Sequence, residues 1–157
     1  MAARSEAATE SAERTLVITR IFDAPRSLVW RAWTDPDHMA RWFGPKGFAG
    51  DVIRMDPRVG GSYHFHMRGP QNDDHWLVGV YREIVEPERL SYTYAWADAQ
   101  GRPTRPETIL TLTFEEQGNK TKFTLHQALF ESVTARDAHQ GGWSSSLERL
   151  AEYLAAA

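Results

Sequence analysis

Two rhythms of apolar positions divide the chain. Residues 15–22, TLVITRIF, are β-branched and apolar over the length of one strand. In the following APRSLVWRAW, Leu28, Val29 and Ala32 recur at helical spacing, with Trp33 one position further round. Asp23 is a good N-cap type, and Pro25 suits a first helical turn, where its missing N–H is not needed. Pro36 disfavours a helical residue before it, so this helix is expected to stop at Thr34-Asp35. A second short helix is expected from Pro36 to about Phe43, ended by Gly44-Pro45. From Phe48 the period becomes two. The segments FAGDVIRMD, GSYHFHMR, HWLVGVYREIV, LSYTYAW, ETILTLTFEE and KTKFTLHQALF read as six antiparallel strands separated by turn-forming residues. After about Thr134 the spacing is helical again, with Ala138 leading Trp143, Leu147, Leu150 and Leu154. Gly141-Gly142 interrupts this helix at about 1 kcal/mol per glycine relative to Ala, so a neighbour that needs the room is expected there.

The order is strand, two short helices, six strands and one long helix, an α+β arrangement. A curled antiparallel sheet has to cover its apolar face, and the last helix carries the large apolar stripe that can do so. The sheet is therefore expected to wrap around that helix as a helix-grip fold, leaving a cavity between them. Residues 1–14, rich in Ala, Ser and Glu, offer little to bury and read as a disordered tail before a single domain spanning 15–157.

The alternating strands supply candidate wall residues. If the GPQNDD loop closes a hairpin, Met67 faces Trp76, Phe65 faces Val78 and Tyr63 faces Val80, an all-apolar register on one face. The same face continues through Tyr92, Tyr94 and Trp96, then Leu110, Leu112 and Phe114, then Phe123 and Leu125. The expected ligand-lining set is Trp42, Phe43, Tyr63, Phe65, Met67, Trp76, Val78, Tyr92, Tyr94, Leu112, Trp143 and Leu147. Trp30, Trp33 and Trp42 mainly anchor the corner where the short helices meet the sheet, with Trp42 and Phe43 as candidates for a ligand rim. In this register His64, His66 and His75 fall on the opposite face. His-x-His on a strand is a metal-binding pattern, yet a solvated polar face explains it at no extra cost and no third ligand is set by the sequence, so no metal is expected. His126, Gln127 and His139 read as buried polar groups held by hydrogen bonds.

Composition narrows the function. The chain has 157 residues, 41% hydrophobic and 25% charged, an ordinary single-domain balance. A net charge of −3 opposes a dedicated nucleic-acid surface. With no cysteine, disulfides and thiolate chemistry are excluded. No apolar run reaches the length of a membrane span, and a cytoplasmic protein is expected. There is no P-loop, no G-x-G-x-x-G and no G-x-S-x-G around Ser144-Ser145-Ser146, so neither a cofactor nor a catalytic motif is expected.

The segments FDAPRSLVWRAWTDPDHMARWFGP, GGSYHFHMRGP, GVYREIVEPERLSYTYAW and GGWSSSLERLAEYL together resemble the START-like superfamily, also called SRPBCC. The nearest likeness is to the branch named for the C-terminal domain of the activator of the heat-shock-protein-90 ATPase, from about residue 15 to 155. The resemblance implies a helix-grip fold and an apolar pocket, and transfers no catalytic residue. It supports a binding protein for a small apolar or aromatic molecule, as a monomer or homodimer. A chaperone-regulating or other protein-interaction module is the alternative. That alternative is tempered by the short stretch before the first strand, where the eukaryotic co-chaperone has a further domain. A cyclase- or hydrolase-like enzyme using pocket Tyr and His residues stands third.

Overall fold

The computed structural model describes residues 12–156. Among them the order is β1 (Leu16–Phe22), α1 (Arg26–Thr34), α2 (Pro36–Trp42), β2 (Ala49–Met55), β3 (Ser62–Arg68), β4 (Asp74–Val85), β5 (Arg89–Ala97), β6 (Thr108–Gln117), β7 (Lys120–Ala128) and α3 (Val133–Ala156). The strands form one antiparallel sheet in the order β1-β7-β6-β5-β4-β3-β2. Each strand from β2 onward pairs with its successor, and β1 closes the far edge against β7. The helix-grip α+β fold follows, with α3 burying Trp143, Leu147, Leu150 and Leu154 in the concave side of the curved sheet. Residues 1–11 of the expected tail lie outside the described residues; Arg14, at its end, accepts a 3.3 Å hydrogen bond from the Phe130 N–H through its carbonyl.

The helical corner forms where the proline and apolar positions direct it. Asp35 is extended (φ −104°, ψ 122°), ends α1 and caps α2 by accepting from the Asp37 N–H at 2.9 Å. The start of α1 differs from the sequence reading, since Pro25, not Asp23, occupies the cap and no side chain completes it. Trp33 stacks on Phe123 at 5.3 Å and meets Trp42 edge-on at 4.6 Å. The Trp42 indole N–H donates to the Ala32 carbonyl at 2.9 Å. All three tryptophans of this stretch, Trp30 included, are buried, so the cluster welds α1 and α2 to the sheet.

The β3–β4 register corrects the expectation by one residue. Phe65 pairs with Leu77, Met67 with His75 and Tyr63 with Gly79. The loop between the strands runs from Gly69 to Asp73, and Gln71 (φ 57°) and Asn72 (φ 62°) take left-handed conformations there. This odd-numbered loop changes the parity, and parity decides which face a strand presents. Trp76 and Val78 therefore share the outer face with His66 and His64, while His75 and Leu77 point inward. The inward sets assigned to β5, β6 and β7 are buried as expected, except that Trp96 is only partly covered.

Gly79 shows why its position has no side chain. A Cβ there would lie 1.9 Å from the Thr93 carbonyl oxygen and 2.5 Å from a ring carbon of Tyr63. The Tyr63 ring covers this gap, and its hydroxyl donates to the Thr93 carbonyl at 2.7 Å.

Candidate functional site

The sheet and α3 part at one end, and a cavity of about 280 Å³ opens between them. Its floor is Met67 and Tyr94, its roof is Ala138, Gly142, Trp143 and Ser146 of α3, and Trp96 and His139 stand at one side. The opposite lip is the loop from Phe43 to Phe48. The room around Gly142 is thus cavity space: the nearest atom to a Cβ built there is Pro45 Cγ, at 4.0 Å.

The lip is held by one arginine. Arg149 Nη1 lies 3.3, 2.9, 3.2 and 3.0 Å from the carbonyl oxygens of Phe43, Gly44, Pro45 and Phe48. Those carbonyls follow the end of α2 and have no helical partner, so a half-buried guanidinium answers them together. Lys46 adds three ties, an N–H bond to Ser145 Oγ at 2.8 Å and ammonium contacts with Glu148 at 2.9 Å and Glu152 at 3.7 Å. Gly44 (φ +100°) and Gly47 (φ +92°) supply the left-handed turns that let the loop fold back.

The far wall is fixed by a chain of buried hydrogen bonds. The Trp143 indole N–H donates to Gln127 Oε1 at 2.8 Å, Gln127 Nε2 donates to Thr108 Oγ1 at 2.8 Å, and that hydroxyl donates to the Tyr94 carbonyl at 3.1 Å. Gln127 is fully buried with both ends of its amide engaged, which orients the Trp143 ring towards the cavity. His139 Nδ1 lies 2.8 Å from the Ala135 carbonyl, which can only accept, so the proton is on Nδ1. Nε2 then accepts from the Trp96 indole N–H at 3.1 Å. Burial pushes the His139 pKa below its ordinary value, reinforcing the neutral form. With both nitrogens occupied, His139 has no free lone pair for general-base work.

The polar groups left to a ligand are few. His75, brought inside by the register, packs edge-on against Trp96 at 5.6 Å and contacts Asp73 Oδ1 through Nε2 at 2.8 Å. The Tyr94 hydroxyl makes no hydrogen bond to a described residue, and burial raises its pKa, keeping it a donor. The cavity is an aromatic slot with a sparse polar edge, the composition of a small-molecule site.

Of the residues expected to line it, Phe43, Met67, Tyr94 and Trp143 do so. Trp42 is buried behind Phe43, at a ring separation of 5.8 Å. Tyr63, Phe65, Tyr92, Leu112 and Leu147 lie in the closed core beyond the cavity. Trp76 and Val78 are on the other face, where Trp76 stacks flat on His66 at 4.6 Å. The three histidines do not converge, because His75 is across the sheet from His64 and His66. Among the described residues no three His, Asp or Glu side chains are grouped as a metal ion would require. Sequence reasoning did not assign His75 or Arg149 to the site. The readable signal was the small-residue row Ala135, Ala138, Gly142 and Ser146 on the sheet-facing side of α3, spaced by three and four.

A seven-stranded sheet gripping a terminal helix above a cavity defines a START-like, SRPBCC-type domain. The sequence matches the family described as activator of Hsp90 ATPase homolog 1-like protein over residues 23–155, and the chain belongs to that family. Curated proteins yield no match. A Chromobacterium violaceum protein of known structure is similar at 29% identity and a TM-score of 0.80, over 90% of this chain and 96% of that one. An Arthrobacter aurescens protein is similar at 26% identity and a TM-score of 0.83, over 94% and 89%. The AHSA1 protein of Silicibacter pomeroyi shares the fold at 22% identity and a TM-score of 0.81, over 90% and 97%. Among the described residues no helix is long and apolar enough to cross a membrane.

Proposed function

We propose that this protein binds a small apolar or aromatic molecule between α3 and the open end of the sheet. The observation that carries this reading is the 280 Å³ aromatic slot, whose wall groups Trp143, Trp96 and His139 already have their hydrogen bonds made within the protein. A wall satisfied internally stays apolar towards a guest, and burial of apolar surface then supplies the affinity. Titration with the fluorescent probe anilinonaphthalene sulfonate tests it. The wild type is expected to take up the probe, and Ala138→Trp, which fills the slot from α3, is expected to weaken uptake by about tenfold or more with its thermal midpoint preserved. Absence of uptake by the wild type, or equal uptake by the variant, sinks the reading.

Family membership supports a second reading, stimulation of a chaperone ATPase. Adding this protein to purified Hsp90 measures it directly. A rate unchanged at saturating protein removes that reading and leaves the first untouched.

A further inference from the structure

A second cavity, of about 310 Å³, lies against the first along the sheet-facing side of α3. The two share Tyr94, Trp96, Ala138 and His139, and the Trp96–His139 hydrogen bond stands at that shared boundary. We propose that Trp96 and His139 form a door between two chambers of one elongated site. Resting on the ligand-binding reading above, this extends the ligand class to a molecule with an apolar or aromatic body and an uncharged hydrogen-bonding end.

The door has the parts it needs. His139 is anchored through Nδ1 to its own helix, so it is the fixed post. Trp96 is partly exposed, and its indole N–H makes one bond, to that post. Swinging the indole away breaks one hydrogen bond, gives up its ring contacts with His75, Tyr94 and His139, and joins two spaces of similar size. The chambers differ in chemistry. The first is walled by aromatic rings, whereas the second carries Arg105, Glu131 and Ser132 at its edge. Arg105 and Glu131 lie 3.7 Å apart and offset each other's charge, so this edge favours a hydroxyl or amide over a carboxylate or an ammonium.

Calorimetric titration with phenylethanol, phenylbutanol, phenylhexanol and phenyloctanol tests the door. In the wild type, affinity is expected to climb about fourfold per buried methylene, to stall where the next methylene requires Trp96 to move, and then to climb again. Trp96→Phe, which keeps a ring without the N–H, and Trp96→Ala are both expected to raise the phenyloctanol-to-phenylethanol affinity ratio about fivefold to tenfold. Ala135→Leu, which narrows only the second chamber, is expected to lower that ratio. In 15N-labelled wild type, the Trp96 indole N–H resonance is expected to shift with phenyloctanol and not with phenylethanol. A smooth climb with length, or ratios unchanged in all three variants, overturns the door and leaves the ligand-binding reading standing. An indole resonance unmoved by bound phenyloctanol does the same. Failure of every probe to bind the wild type and the variants overturns the ligand-binding reading itself, and the door with it.

Discussion

The two ends of the sheet put aromatic side chains to opposite purposes. At the closed end, Tyr63, Tyr81 and Tyr92 interlock at ring separations of 5.3–5.8 Å, and the gap at Gly79 is covered by the Tyr63 ring. At the open end, Trp96 and Trp143 are tied down through their indole N–H groups, and the space at Gly142 is left unfilled. Glycine therefore means contact in one region and vacancy in the other. The difference lies in what faces it: a neighbouring strand at hydrogen-bonding distance at Gly79, and only a distant proline ring at Gly142. A cavity here is not a packing failure, because the walls beside it carry more hydrogen bonds, not fewer.

The sharpest way to break this contrast is to add one carbon at each end. Gly79→Ala drives a methyl against the Thr93 carbonyl and the Tyr63 ring, and a loss of about 3 kcal/mol or more is expected in urea denaturation. A stability within about 0.5 kcal/mol of wild type would show that the closed end is not close-packed. Next in size is Arg149→Met, which leaves the lip carbonyls without their guanidinium. We expect a loss of about 1–3 kcal/mol and faster amide exchange confined to the lip. Uniform exchange throughout the chain would show that Arg149 supports the whole fold.

Acid gives a smaller effect. Burial holds the pKa of His139 below its ordinary 6.5, so below that value the unfolded chain binds more protons than the folded one. Stability contributed by neutral His139 is thus present above the unfolded pKa and is lost as pH falls towards the folded one. His64, lowered chiefly by its own burial, adds a slope of the same sign. The thermal midpoint is expected to fall from neutral pH into mild acid, and to fall less in His139→Asn. An equal fall in both would assign the slope to other groups. Smallest is the glycine pair in α3. Gly141→Ala and Gly142→Ala should each gain up to about 1 kcal/mol of helix propensity, while only Gly142→Ala reduces probe uptake. Equal uptake by the two would mean that Gly142 does not face the ligand.

Much of the frame was legible because period and punctuation speak locally. The six strands after the helical pair, the Asp35-Pro36 break and the buried face of α3 all follow from residues near one another in sequence. The β3–β4 register was not, because it depends on the residue count of a loop whose left-handed Gln71 and Asn72 leave no strong signature. That single parity exchanged His75 for Trp76 on the cavity side. Arg149 was invisible for another reason: its partners are backbone carbonyls, which every sequence has.

The union of β1 with β7 carries a cost in time. Synthesis delivers Trp30 and Trp33 early, yet the rings that receive them, Phe114 and Phe123, emerge much later. Until then two large indoles lack the rings that cover them, and the first strand waits without its hydrogen-bonding neighbour. A protein so arranged commits to its fold only after almost all of it has left the ribosome, and that interval is when it is most exposed to aggregation.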